Sequence, residues 1–122
     1  MAYARVRLDM NGDGLKDEAT LIVDRVRHRS GLRVCLAKEG ADLSANCHVL
    51  VDDSEENGYE EMGLEVRGPG CRDFNSLNDG PDVGGKVCSR TDVLRYFRVG
   101  SSTSFFLYDQ KTGRFNRYWD SD

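Results

Sequence analysis

The sequence predicts an all-β domain of antiparallel strands: a curled sheet, a sandwich or a small barrel-like domain with long loops. Three observations predict it. Apolar residues recur mostly with a period of two. No segment sustains a helical 3.6-residue period beyond two turns. Short β-forming runs alternate with clusters of Gly, Asn and Asp that favour turns. The 122 residues form one domain, 1–122, because two halves would each be too small to bury a core.

The first strand is the alternating run Ala4-Arg5-Val6-Arg7-Leu8. Residues 19–28 form a β-branched run centred on Leu21-Ile22-Val23, closed by a turn at His28-Arg29-Ser30-Gly31. Residues 31–36 alternate again, and His48-Val49-Leu50-Val51 is a short apolar strand. Residues 62–67 alternate and stop at Gly68-Pro69-Gly70. The last three strands cover 93–99, 104–108 and 115–119, making eight in all. Adjacent strand residues face opposite ways, so Phe105 and Phe106 must pack on different sides. A hairpin turn at 109–114 joins the last two strands, with Gly113 near the left-handed region. Two stretches exceed a mere connection and read as functional loops: 52–61, with six acids in ten residues, and the polar 71–89.

Charge and composition exclude several classes. The chain carries 21 acids against 17 bases, a net charge of −4 that disfavours nucleic-acid binding. Its longest apolar run, Phe105-Phe106-Leu107-Tyr108, is four residues, far short of the ~20 of a membrane helix. His28 and His48 are the only histidines, which leaves little room for His-based catalysis or a zinc centre. The run Ser101-Ser102-Thr103-Ser104 lacks a nucleophile elbow and a neighbouring His. No two of the many acids stand out as a catalytic pair. The expectation is a binding protein, not an enzyme.

Cys35, Cys47, Cys71 and Cys88 are separated by 12, 24 and 17 residues, with no CxxC. That spacing fits no zinc site and reads as two structural disulfides in an exported chain. Of the three connectivities, Cys35–Cys47 and Cys71–Cys88 are favoured, because each pair brackets a polar loop. Each unstrained bridge would add about 3 kcal/mol in the chain-entropy model. Residues 1–9 lack a leader's apolar core, so the chain reads as the mature form of a periplasmic or secreted protein. A cytosolic chain with four free thiols is the other reading.

The most specific motif is Asp9-Met10-Asn11-Gly12-Asp13-Gly14-Leu15-Lys16-Asp17, lying between the first two strands. Oxygen side chains at positions 1, 3, 5 and 9 with Gly at 6 reproduce the first nine residues of a calcium loop. Asp9, Asn11 and Asp13 converge, Gly14 permits the turn, Leu15 offers its carbonyl and Asp17 closes the shell. The competing reading is a polar hairpin turn. An EF-hand needs Glu at position 12, which here is Thr20, and the flanks read as strands. A second set, Asp73, Asn75, Asp79 and Asp82, fits no standard spacing and reads better as a surface loop.

The Asp9–Asp17 motif resembles the DxNxDGxxD loops of FG-GAP and similar extracellular β-proteins. Together DMNGDGLKDEATLIV, GLRVCL and the closing SSTSFFLYDQKTGRFNRYWDSD resemble small exported calcium-loop proteins of xanthomonad-type bacteria. These include periplasmic immunity proteins that inhibit secreted peptidoglycan hydrolases. The resemblance spans about the first 35 and last 30 residues, in a length that fits one domain, and leaves the middle unmatched. It implies calcium as cofactor and a cognate cell-wall hydrolase effector as partner. The partner-binding residues would be the acidic Asp52, Asp53, Glu55 and Glu56 and the turn at Ser101, Ser102 and Ser104. The alternative is a calcium-stabilised carbohydrate- or surface-binding module without inhibitory activity.

Overall fold

The computed structural model is built of antiparallel strands. It describes residues 5–24, 26, 29–53, 62–78, 80–98 and 103–120. Among these, ten strands form two antiparallel sheets and no α-helix is present. The strands are β1 Arg5–Leu8, β2 Asp17–Asp24, β3 Arg29–Cys35, β4 Cys47–Asp53, β5 Met62–Arg67, β6 Gly70–Leu77, β7 Asp82–Ser89, β8 Val93–Arg98, β9 Thr103–Asp109 and β10 Arg114–Trp119. One sheet is the meander β1-β2-β3-β4, and the other runs β5-β8-β9-β10-β6-β7. Neither closes on itself among the described residues.

Three boundaries differ from the sequence reading. The second strand ends at Asp24, and Asp24 pairs with Arg29, so Arg29-Ser30-Gly31 belong to β3 and not to a turn. Asp52 and Asp53 lie in β4, paired with Gly31 and Ser30, so the acidic stretch begins inside a strand. Residues 71–89 are not a loop: they hold most of the β6–β7 hairpin, with Arg72 opposite Val87 and Asp73 opposite Lys86. The 109–114 turn stands as read, with Gly113 at φ 70°.

The larger core cluster takes Leu8, Ala19, Leu32 and Val34 from the first sheet and Leu64, Leu94, Tyr96 and Phe106 from the second. Each fully buried Leu contributes about 2–3 kcal/mol. A register shift between Leu32 and Arg33 leaves Leu50 as an extra residue in β4, so Leu50 and Val51 both reach this core. The second sheet is buried on both faces. Its other side carries Val93, Phe105 and Tyr118, with Phe74, Val87 and Leu107 packed around them. Phe105 and Phe106 therefore do serve opposite faces.

The second sheet must curl. β5 and β6 are joined by Gly68-Pro69 alone, yet three strands stand between them in the sheet. That link reaches at most ~11 Å between Cα atoms, whereas four strand spacings in a flat sheet are ~19 Å. Accordingly β6 pairs with β10 only at its far end, through Leu77–Tyr118 and Ser76–Trp119, while its start stays beside the end of β5.

Both favoured disulfides form, Cys35–Cys47 and Cys71–Cys88, leaving no free cysteine. Each joins directly opposed residues of neighbouring strands: β3 with β4, and β6 with β7.

Candidate functional site

The loop between β1 and β2 is organised by its own carboxylates. Asp9 accepts the Gly12 N–H through Oδ1 and the Gly14 N–H through Oδ2, both at 2.9 Å. Asn11 Oδ1 accepts the Asp13 N–H at 3.4 Å, and Asp13 Oδ1 accepts the Leu15 N–H at 2.9 Å. These are Asx turns, in which a short side chain caps an amide two residues on. Gly12 and Gly14 sit at φ 77° and 83°, where other residues are strained.

Asp17 closes the loop from below. It is fully buried, and its oxygens accept the N–H groups of Met10 at 2.9 Å and Ala37 at 2.8 Å. Burial raises its pKa above the usual carboxylate value of 3.8; the two amides oppose this, and the charges of Asp13 and Asp9 add to it. The loop is also tied to the second sheet. Asp92 Oδ2 accepts the Asp9 N–H at 2.9 Å, the Asp92 N–H returns a bond to the Asp9 carbonyl at 3.1 Å, and the Gln110 side-chain amide donates to the Asn11 carbonyl. Lys16 Nζ stands 4.0 Å from Asp92. Sequence reading missed Asp92 and Gln110; both lie far along the chain and only the fold brings them to the loop.

The donor set suits calcium, a hard cation that takes carboxylate, amide and carbonyl oxygen. The bond from the sixth residue's amide to the first residue's carboxylate and the two Asx turns order the backbone of the loop. Even so, among the described residues no group of three or more His, Cys, Asp or Glu side chains is drawn together as a metal site.

The other predicted residues are scattered. Asp52 is exposed at the end of β4, and Asp53 follows it in the same strand. Glu55, Glu56, Ser101 and Ser102 lie outside the described residues. Ser104 is a correction: it is fully buried in β9, donating to the Tyr96 carbonyl at 3.2 Å and accepting from Arg117 Nε at 3.0 Å. Strand alternation turns it inward, so its side chain faces the protein interior and not a partner surface. Asp73 and Asn75 sit in β6 and Asp82 in β7, spread along a hairpin, while Asp79 lies outside the described residues. His48 takes a packing role: Nε2 lies 3.0 Å from Asn46 Oδ1, and the ring packs on Phe115 with centroids 5.6 Å apart.

One cavity of about 450 Å³ opens beside the terminal hairpin, lined by Leu107, Tyr108, Asp109, Gln110, Asn116 and Tyr118 among others. Comparison with protein-family models, curated proteins and solved structures finds no significant match to this chain.

Proposed function

We propose that this chain is a periplasmic immunity protein that binds and inhibits a peptidoglycan-degrading, lysozyme-like toxin. One observation carries the reading. The two ends that carry the family resemblance meet in space, where Gln110 of the terminal hairpin donates to Asn11 of the aspartate loop. The two cross-strand disulfides support a life in an oxidising compartment.

The loop would hold calcium through Asp9, Asn11, Asp13 and Asp17 side-chain oxygens and the Leu15 carbonyl, and the ion would neutralise their mutual repulsion. The protein's own residues do the rest. Asp92 and Gln110 fasten the loop to the second sheet. Asp52 and Asp53, with Glu55 and Glu56 beyond them, present negative charge that steers a basic enzyme toward the surface. Ser101 and Ser102, outside the described residues, would be the inhibitory contact; the neighbouring Ser104 is buried in β9.

The test is inhibition, on purified peptidoglycan, of any peptidoglycan hydrolase found encoded beside this chain. Wild type is expected to inhibit. Neutralising Asp52, Asp53, Glu55 and Glu56 is expected to slow association and flatten its salt dependence, with little change in dissociation. A bulky residue at Ser102 is expected to speed dissociation. Failure of the wild type to inhibit, or full inhibition by both variants, overturns the reading.

The cavity beside the terminal hairpin favours a second reading, a carbohydrate-binding module. Two tyrosines, two side-chain amides and a carboxylate around one cleft suit stacking and hydrogen bonding to a sugar. Binding of peptidoglycan fragments without inhibition of any hydrolase would select it.

A further inference from the structure

The curl of the second sheet creates a cavity of about 260 Å³, lined by Arg67, Arg72, Arg95, Phe105 and Asp120. We propose that it is a binding site for a small oxyanion, a carboxylate or phosphate group on a compact ligand. The site owes nothing to the aspartate loop or to a hydrolase, and it stands apart from the inhibitory reading.

The topology explains why three arginines converge. Arg67 ends β5 and Arg72 lies near the start of β6, and the two-residue link Gly68-Pro69 keeps those ends together. Arg95, in β8, stands directly across from Glu65 of β5 on one side and from Phe105 of β9 on the other. The buried Phe105 ring makes the apolar floor.

Each guanidinium is held in place before any ligand arrives. Arg72 donates through Nη2 to the Gly68 carbonyl at 2.6 Å and through Nη1 to the Gly70 carbonyl at 3.4 Å. Arg95 lies over the Phe97 ring at 4.6 Å and donates to Thr103 Oγ1 at 3.4 Å. Glu65 Oε1 is 2.5 Å from Arg67 Nε and 3.7 Å from Arg95 Nη1, which sets the spacing of those two cations. A guanidinium has five N–H donors, and these bonds use only some of them.

Charge selects the ligand. Three guanidiniums face two carboxylates, Glu65 and Asp120, so the site is positive in a chain whose net charge is −4. Arginine forks match the paired oxygens of carboxylate and phosphate. The volume admits a small organic acid or phosphate ester.

The experiment titrates the whole chain with inorganic phosphate and, separately, with succinate, at matched ionic strength, following backbone amides by NMR. Saturable shifts at Arg67, Arg72, Arg95 and Phe105 are expected. Saturation by phosphate alone assigns a phosphate-bearing ligand, and by succinate alone an organic acid. Losing one charge-assisted contact in Arg72→Gln or Arg67→Gln is expected to weaken binding about tenfold or more, while Arg114→Gln, at the exposed hairpin, leaves it unchanged. Phenylglyoxal labelling of the unmutated protein gives a readout free of folding defects, because the anion should shield Arg72. No saturable shift with either anion, wild-type affinity in Arg72→Gln, equal weakening in Arg114→Gln, or unshielded Arg72 would overturn the proposal.

Discussion

Asp17 shows how one side chain can fix a turn. Its buried carboxylate joins an amide within the loop, Met10, to one beyond β3, Ala37. Asp17→Ala strands both N–H groups in a dry site, where each unmet donor costs about 1–3 kcal/mol. A loss of about 3 kcal/mol is expected from chemical denaturation, and an unchanged midpoint would remove Asp17 from this role. Tyr118 makes a pH-dependent prediction. Burial first, and then the charge of Asp109, raise its pKa above 10.0. The folded chain therefore keeps this proton to a higher pH than the unfolded chain. The associated stability is complete below the unfolded value and is lost as pH climbs through the folded one. Between pH about 9 and about 11, wild type is expected to lose more stability than Tyr118→Phe. Identical slopes for the two would contradict it.

Strands were readable where one face is buried and hidden where neither is. β5 alternates Leu64 with Glu65, and the sequence shows it at once. Every residue of β7 is exposed or half-buried, and it contains Gly84-Gly85, so no periodic signal exists. What makes it a strand is pairing with β6 and the Cys71–Cys88 bridge, neither of which is a local property. The aspartate loop was legible because Asx turns are local chemistry, whereas Asp92 and Gln110 became visible only through the fold. Ser104 reads correctly as a strand residue but is also grouped with the turn at Ser101 and Ser102, whereas its side chain lies on a buried face of β9. Gly31 offers a test of strand packing. A Cβ there would stand 2.6 Å from the Val51 carbonyl oxygen, so Gly31→Ala must push β3 and β4 apart. A loss of about 1–3 kcal/mol is expected. Because Gly31 pairs with Asp52, the proposed hydrolase inhibition should weaken with it.

For the molecule as a whole, the aspartate loop adds a polar tie between two sheets that also share a core, so the proposed calcium should stabilise both. Calcium at a hundredfold excess over its dissociation constant is expected to add about 2.7 kcal/mol, because the unfolded chain lacks the site. Asp13→Ala should abolish that gain by removing a proposed ligand, at little cost to the calcium-free loop, since among the described residues Asp13 bonds only the Leu15 amide. Equal melting temperatures in chelator and in millimolar calcium would refute the metal assignment. The strand order gives the disulfides a further consequence. β4 and β7 each terminate a sheet, and each is bridged to its inner neighbour. A terminal strand can peel away and zip onto another copy of the chain, the usual start of strand exchange and fibril growth. Here peeling would have to break a covalent bond. Reduction is therefore expected to yield intermolecular β-assembly, read by thioflavin fluorescence and light scattering, at temperatures where the oxidised chain stays monodisperse. The two bridges guard one rim of each sheet, at β4 and at β7, against the protein's own copies.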